Sequence, residues 1–166
     1  MNPAISHIFV KMTDFYQGNT ALVAHFVKVY GYAHTIGILE GLDDKTQFLL
    51  EMAAICHDIA IPTCMEKYGT DAGHLQEKES EALLRPFLKE FRLPKETEER
   101  IIFLVSHHHT YAFVDGMDWQ ILLEADFLVN ADESRHSRSS IDKMTAQVFR
   151  TNTGKHLLSS IYQNVK

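Results

Sequence analysis

The chain has 166 residues and a mass of 19.0 kDa, the size of one domain with room for a sizeable core. Apolar residues make up 45% and charged residues 23%, with 8 Gly and 4 Pro, which excludes a collagen-like or a disordered, turn-rich chain. A net charge of −6 argues against a protein that tracks a nucleic-acid backbone, so no stable nucleic-acid binding is expected.

In chain order, Ile5, Ile8, Phe9, Met12 and Phe15 carry a helical spacing over residues 1–17 that ends at Gly18. A second helix follows through Leu22, Phe26, Val29, Ala33, Ile36 and Leu39 and closes at Gly41. Asp43 or Asp44 caps a third, which runs through Phe48, Leu49, Met52, Ala53, Ile55 and Cys56 until Pro62 stops it. Residues 63–75, polar and holding Gly69 and Gly73, read as a loop. From Glu77 the period returns through Leu83, Leu84, Phe87, Leu88 and Phe91, with a kink or a broken first turn expected at Pro86. Pro94 introduces a helix from about Lys95 to His109. Asp115-Gly116 leads into another from Asp118 to about Glu133, and two more fall near 139–150 and 154–165. With no strand pair and no repeat, the expectation is a single all-α domain over 1–166, a bundle of seven or eight helices. The motif-bearing part covers about 20–130 and the C-terminal helices about 137–166.

Cys56 and Cys64 cannot form a disulfide framework, and Cys56 reads as a small core residue. The segment Met1 to Thr20 carries Lys11 and Asp14 and has no signal-peptide core, and Ile101–Val105 is the longest uncharged apolar run. A cytoplasmic protein without membrane attachment is expected.

The unusual count is histidine, at 10. His57-Asp58 directly follows the core run Met52–Cys56, where a charged pair needs partners or a metal. The plainer reading is a helix-end histidine satisfied by the last carbonyls. Asp126 lies among Leu122, Ala125, Phe127 and Val129, where an unpaired carboxylate would be costly and something positive must face it. Upstream, His25 and His34 are nine residues apart and point to opposite sides of one helix. His25 shares the core stripe with Leu22 and Val29 and is preferred; His34 reads as solvated or structural.

This ordered set resembles the HD-domain metal-dependent phosphohydrolase superfamily. The resemblance runs over His25-Phe26-Val27-Lys28-Val29, Glu40-Gly41-Leu42-Asp43, Ala53-Ala54-Ile55-Cys56-His57-Asp58-Ile59 and Ala125-Asp126. It implies an all-α fold and a divalent metal ion, Mn, Fe, Co, Ni, Mg or Zn, held by His25, His57, Asp58 and Asp126. The implied reaction is attack of metal-activated water on a phosphoester or phosphoanhydride of a nucleotide or similar small molecule, with Asp58 helping to orient the water. His57 and Asp58 are adjacent and need the helix end to converge on one ion.

Ser106-His107-His108-His109-Thr110 follows the Ile101–Val105 core, and His108 is the member expected to face inward, after Ile101 and Leu104. Some branches of the superfamily use such histidines for a second metal or to hold the substrate phosphate, so His108 joins Asp58 as a catalytic candidate. The two-metal branches also use a histidine four residues before a small residue. If Ser80 is that residue the matching position holds Gln76, with His74 two residues earlier, which counts against a second metal. Lys28 and Lys67 are candidate phosphate contacts, and Arg135 and Arg138 flank His136 beyond the Asp126 helix. Tyr111 and Trp119 could stack on a base, although Trp119 reads first as core. The alternatives are a di-iron HD-domain oxygenase and a regulatory domain that binds a metal or nucleotide without turnover. A homodimer is allowed by the sequence and not specified by it. There is no GxxxxGK[ST] or GxGxxG loop, CxxC pair or HExxH motif.

Overall fold

Small polar side chains start most of the helices. In the computed structural model, which describes residues 2–163, Asn2 accepts from Ala4 N at the head of α1 (Pro3–Phe15), and Asn19 accepts from Leu22 N at the head of α2 (Thr20–Leu39). Asp43, rather than Asp44, caps α3 (Asp44–Cys56), accepting from the amides of Lys45 and Thr46. Each such cap contributes about 1 kcal/mol. Gly18 and Gly41 follow α1 and α2 with φ of 81° and 76°, a conformation that carries no Cβ penalty only for glycine.

The chain continues through α4 (Ile61–Tyr68), α5 (Gly73–Leu88) with a 3-10 turn (Lys89–Phe91), α6 (Lys95–Val105), α7 (Met117–Glu133), α8 (Arg138–Val148) and α9 (Asn152–Tyr162). Among the described residues all regular structure is helical, as expected for an all-α fold. The expected last helix was to reach residue 165, and residues 164–165 lie outside the described residues.

Three local expectations need correction. Residues 63–75 are not one loop: α4 occupies most of the segment's first half and α5 begins at Gly73. Pro62 falls in the first turn of α4, where its missing N–H has no intrahelical partner to lose, so it opens a helix. Pro86, by contrast, does fall inside a helix, close to the end of α5 at Leu88. The helix expected to reach His109 ends at Val105, and the histidine triplet lies in the turn beyond.

At the centre is α3, whose Leu50, Met52, Ala53, Ala54, Ile55 and Cys56 are all fully buried. The helices α1, α2, α6 and α7 pack around it, which accounts for its apolar residues on every side. A fully buried Leu or Ile contributes about 1.5–3 kcal/mol. The stretch Asp44–Tyr68 is long and apolar enough to cross a membrane by length and composition, yet 72% of that apolar window is buried inside the fold, as in a core helix. Both cysteines are free and buried.

The C-terminal helices are tied to α7 by a buried carboxylate. Glu124, with no exposed surface, accepts from Gln120 Nε2 (2.7 Å), Arg150 N (2.7 Å), Thr151 N (3.0 Å) and the Thr151 hydroxyl. Tyr162 adds a hydrogen bond from its hydroxyl to Leu128 O at 2.6 Å. Since α2 and α7 both pack on α3, side chains from the three helices meet at the C-terminal end of α3.

Candidate metal centre

At that end the regular helix gives way to tight turns. Ile59 N donates to Cys56 O and Ile61 N to Asp58 O, both at 3.0 Å. These i→i+3 bonds re-aim the adjacent His57 and Asp58 toward one point, as the sequence reading required. From α2, His25 Nε2 comes within 3.1 Å of His57 Nε2, 3.3 Å of Asp58 Oδ2 and 3.2 Å of Asp126 Oδ1 on α7. His57 Nε2 in turn lies 3.3 Å from Asp58 Oδ2 and 3.4 Å from Asp126 Oδ1. All four side chains are buried, and no Lys or Arg among the described residues pairs with either carboxylate.

The backs of the imidazoles are occupied. His57 Nδ1 donates to Ala54 O at 2.9 Å, and His25 Nδ1 faces Glu133 Oε2 at 2.8 Å. Those bonds place the free lone pair of each neutral ring on Nε2, toward the shared point. Glu133, at the end of α7, also takes Lys28 Nζ at 2.9 Å, and Asn130 Nδ2 donates to Asp126 Oδ1 at 2.9 Å.

The electrostatics follow from burial set against mutual attraction. Burial pushes the His25 imidazole down, but its hydrogen bond to Asp126 and the charges of Asp58 and Asp126 outweigh it, holding the group above the usual histidine value. Against a larger burial penalty, the Asp58 charge and the bond to Asp126 hold His57 well above that value. Burial would raise both aspartates; Asp58 is nevertheless held well below the usual carboxylate value by His57 and His108, and Asp126 by bonds from His25 and His57. The carboxylates thus demand positive charge, which the imidazoles supply when protonated. Imidazole nitrogens and carboxylate oxygens in one buried spot suit a divalent cation in the same role. The ligand atoms of His25, His57 and Asp58 lie close enough together to hold one ion, and Asp126 Oδ1 adjoins both histidine nitrogens.

A second group adjoins the first. Asp58 Oδ1 lies 3.5 Å from His108 Nε2, and Asp58, His108 and His109 also form a set with ligand atoms close enough for an ion. His108 Nδ1 donates to Val105 O at 2.7 Å, while Nε2 of both His108 and His109 is buried without a hydrogen-bond partner. Burial and then the neighbouring His108 push His109 down to about 4. The third member, His107, stacks on Phe103 at 4.2 Å and donates from Nδ1 to its carbonyl. Gln76 faces inward with an unpartnered Oε1, whereas His74 is exposed on the first turn of α5. Ser80 is buried and bonds back to Gln76 O.

The other singled-out residues are placed as follows. His34 stays apart from the cluster and pairs with Glu51 at 2.7 Å. The Lys67 ammonium contacts Glu79 at 2.6 Å, as that of Lys28 contacts Glu133. Arg138 bonds Asp142 and the carbonyl of Tyr162. Trp119 is core, donating to His107 O at 3.0 Å. Tyr111 is partly exposed; burial, then Asp126 and Glu77, push its phenol up to about 12. Sequence reasoning missed Glu133, whose only signal was its place one turn beyond Asn130 on the helix of Asp126.

No curated protein matches the chain. A family model described as HD domain matches residues 22–137, a span that contains all four converging residues and the histidine triplet. That match covers well over half of the chain, which therefore belongs to the HD-domain family, the metal-dependent phosphohydrolase superfamily that its motifs resemble.

Proposed function

We propose that the protein hydrolyses a phosphoester or phosphoanhydride of a nucleotide or similar small phosphorylated molecule, with one divalent metal ion held by His25, His57, Asp58 and Asp126. The observation that carries this reading is that His25 Nε2 and His57 Nε2 each lie within 3.4 Å of the other, of Asp58 Oδ2 and of Asp126 Oδ1. A divalent ion there supplies Lewis acidity, polarising a phosphoryl oxygen and acidifying water.

The protein's own residues divide the remaining work. Asp58 presents Oδ2 to the ion site and Oδ1 to His108, so it links the two and orients water between them. Because His108 Nδ1 donates to Val105 O, its Nε2 holds the lone pair and is placed to accept a proton from that water. Lys28 and Lys67 serve as phosphate contacts by exchanging Glu133 and Glu79 for the substrate. Exposed ion pairs of this kind are screened by solvent and hold little stability, so the exchange costs little. Net charge and the burial of the apolar window within residues 44–68 support a cytoplasmic protein whose partner is a small substrate rather than nucleic acid or a membrane. Sedimentation distinguishes a monomer from a homodimer.

A second reading is favoured by one observation, the Asp58–His108–His109 group with its two unpartnered Nε2 atoms. Asp58, His108 and His109 would there hold a second ion beside the first, and such a pair of irons would supply the oxygen chemistry of a di-iron oxygenase. The test is turnover of a phosphomonoester, phosphodiester and nucleotide panel by protein of known metal content. Hydrolysis with one ion per chain, lost in Asp126→Ala, upholds the first reading. Two irons and oxygen consumption uphold the second, and a loaded protein without turnover is a binding domain.

A further inference from the structure

The loop that follows the histidine triplet forms one wall of a cavity of about 290 Å3 on the flank of α7. Tyr111 and Val114 line it from the loop, Gln120 and Leu123 from α7, Gln147 from the end of α8 and Arg150 from the turn beyond it. Gln120, Leu123 and Asp126 succeed one another at three-residue steps along α7, so Leu123 stands between the cavity and the metal ligand. The rise over those six residues is about 9 Å.

Gln120 is the informative wall residue. Its side-chain Nε2 donates to Glu124 Oε1 and to Val148 O, both at 2.7 Å, so both amide hydrogens are used. The flipped amide would set an oxygen against two acceptors, which fixes the orientation. Its Oε1 has no donor among the described residues, on a side chain whose residue is only 8% exposed and lines the cavity. Arg150 adds a guanidinium pinned to the carbonyls of Ala146, Gln147 and Phe149 at 3.1, 2.8 and 3.0 Å. A fixed planar cation and a phenol ring suit a flat aromatic ligand, and an acceptor open to the cavity suits one with an N–H donor.

We infer that this cavity binds the nucleobase of the substrate, with Gln120 Oε1 accepting from an exocyclic amino group of the ring. The inference rests on the phosphohydrolase reading in calling the ring part of a substrate, but binding of the base requires no turnover. The experiment is therefore an NMR titration of the full-length, isotope-labelled protein with free nucleosides.

Adenosine, cytidine and guanosine are the probes. At least one is expected to shift the Gln120 side-chain amide together with the amides of Tyr111, Val114 and Arg150. Its counterpart lacking the exocyclic amine is expected to bind about tenfold more weakly. Val114→Trp, which fills the cavity from the loop, is expected to abolish the shifts; Gln120→Leu removes the acceptor directly. Absence of shifts with all three nucleosides, or equal binding to Val114→Trp, overturns the inference. Hydrolysis of bis(p-nitrophenyl) phosphate is measured in parallel. A protein that hydrolyses it and binds no nucleoside refutes the cavity alone, whereas one that binds nucleosides and holds no metal refutes the hydrolase reading alone.

Discussion

Glu133 holds His25 from behind: its Oε2 lies 2.8 Å from His25 Nδ1, and its other oxygen takes the Lys28 ammonium at 2.9 Å. A carboxylate on the far nitrogen of a ligating histidine fixes the ring and raises its basicity, and losing such a partner costs about 10–100-fold in metal affinity. Glu133→Gln is accordingly expected to weaken metal binding by about that factor without removing the site. Competition titration against a chelator, with Glu133→Leu and Lys28→Met alongside, checks this. Unchanged affinity in both Glu133 variants would show that His25 is held by packing alone.

Stability should depend on pH in opposite senses with and without metal. His25 and His57 are raised above 6.5 in the fold, so their contribution is complete below 6.5 and is lost as pH rises through their folded values. Asp58 and Asp126 are lowered below 3.8, so theirs is complete above 3.8 and is lost as pH falls through their folded values. Chelator-treated protein is thus expected to be most stable between about pH 4 and pH 6.5 and to melt progressively lower above that window. Metal binding needs neutral imidazoles, so loaded protein gains stability over the same rise. Melting curves in each state would show parallel lines if the imidazoles do not titrate as argued.

His108 separates the one-ion and two-ion accounts. In the one-ion account it accepts a proton, and His108→Ala lowers kcat by about 10²–10⁴-fold with metal content unchanged. A fall from two ions to one in that variant places His108 in the coordination shell instead. Steady-state kinetics and elemental analysis of the same preparation read both.

The anchor of the C-terminal helices is open to a stability test remote from the metal. A Cβ at Gly154 would collide with Glu124 Oε2 and the Thr151 hydroxyl, so Gly154→Ala forces the buried carboxylate away from its donors. Overpacking of this kind costs about 1–3 kcal/mol. Urea denaturation is expected to show that loss, and wild-type stability would mean that the α8–α9 junction yields freely.

Much of this was legible because local chemistry and fold agree. Asn, Asp and Gly sit at the ends of α1 to α3, and His25 shares the apolar stripe of Phe26 and Val29 in the core. What escaped did so for particular reasons. Pro62 opens α4 rather than ending α3, and a proline can do either, with only its position separating the two meanings. The triplet followed the period of α6 through His108, yet the helix stopped at Val105 because its last carbonyls bond to the histidine rings themselves. Glu133 is 108 residues from His25 and reads as a solvated helix end, and Glu124 gave no hint that residues 150–151 would close on it. Such contacts belong to tertiary packing, which helical periodicity does not encode.

The most direct test is the metal content per chain of wild type and Asp126→Ala, each purified without added metal and measured by elemental analysis. The account predicts about one divalent ion in the wild type and none in the variant, with both proteins equally helical by circular dichroism. Wild-type protein that holds no metal even after reconstitution, or a folded Asp126→Ala that keeps its ion, would contradict it.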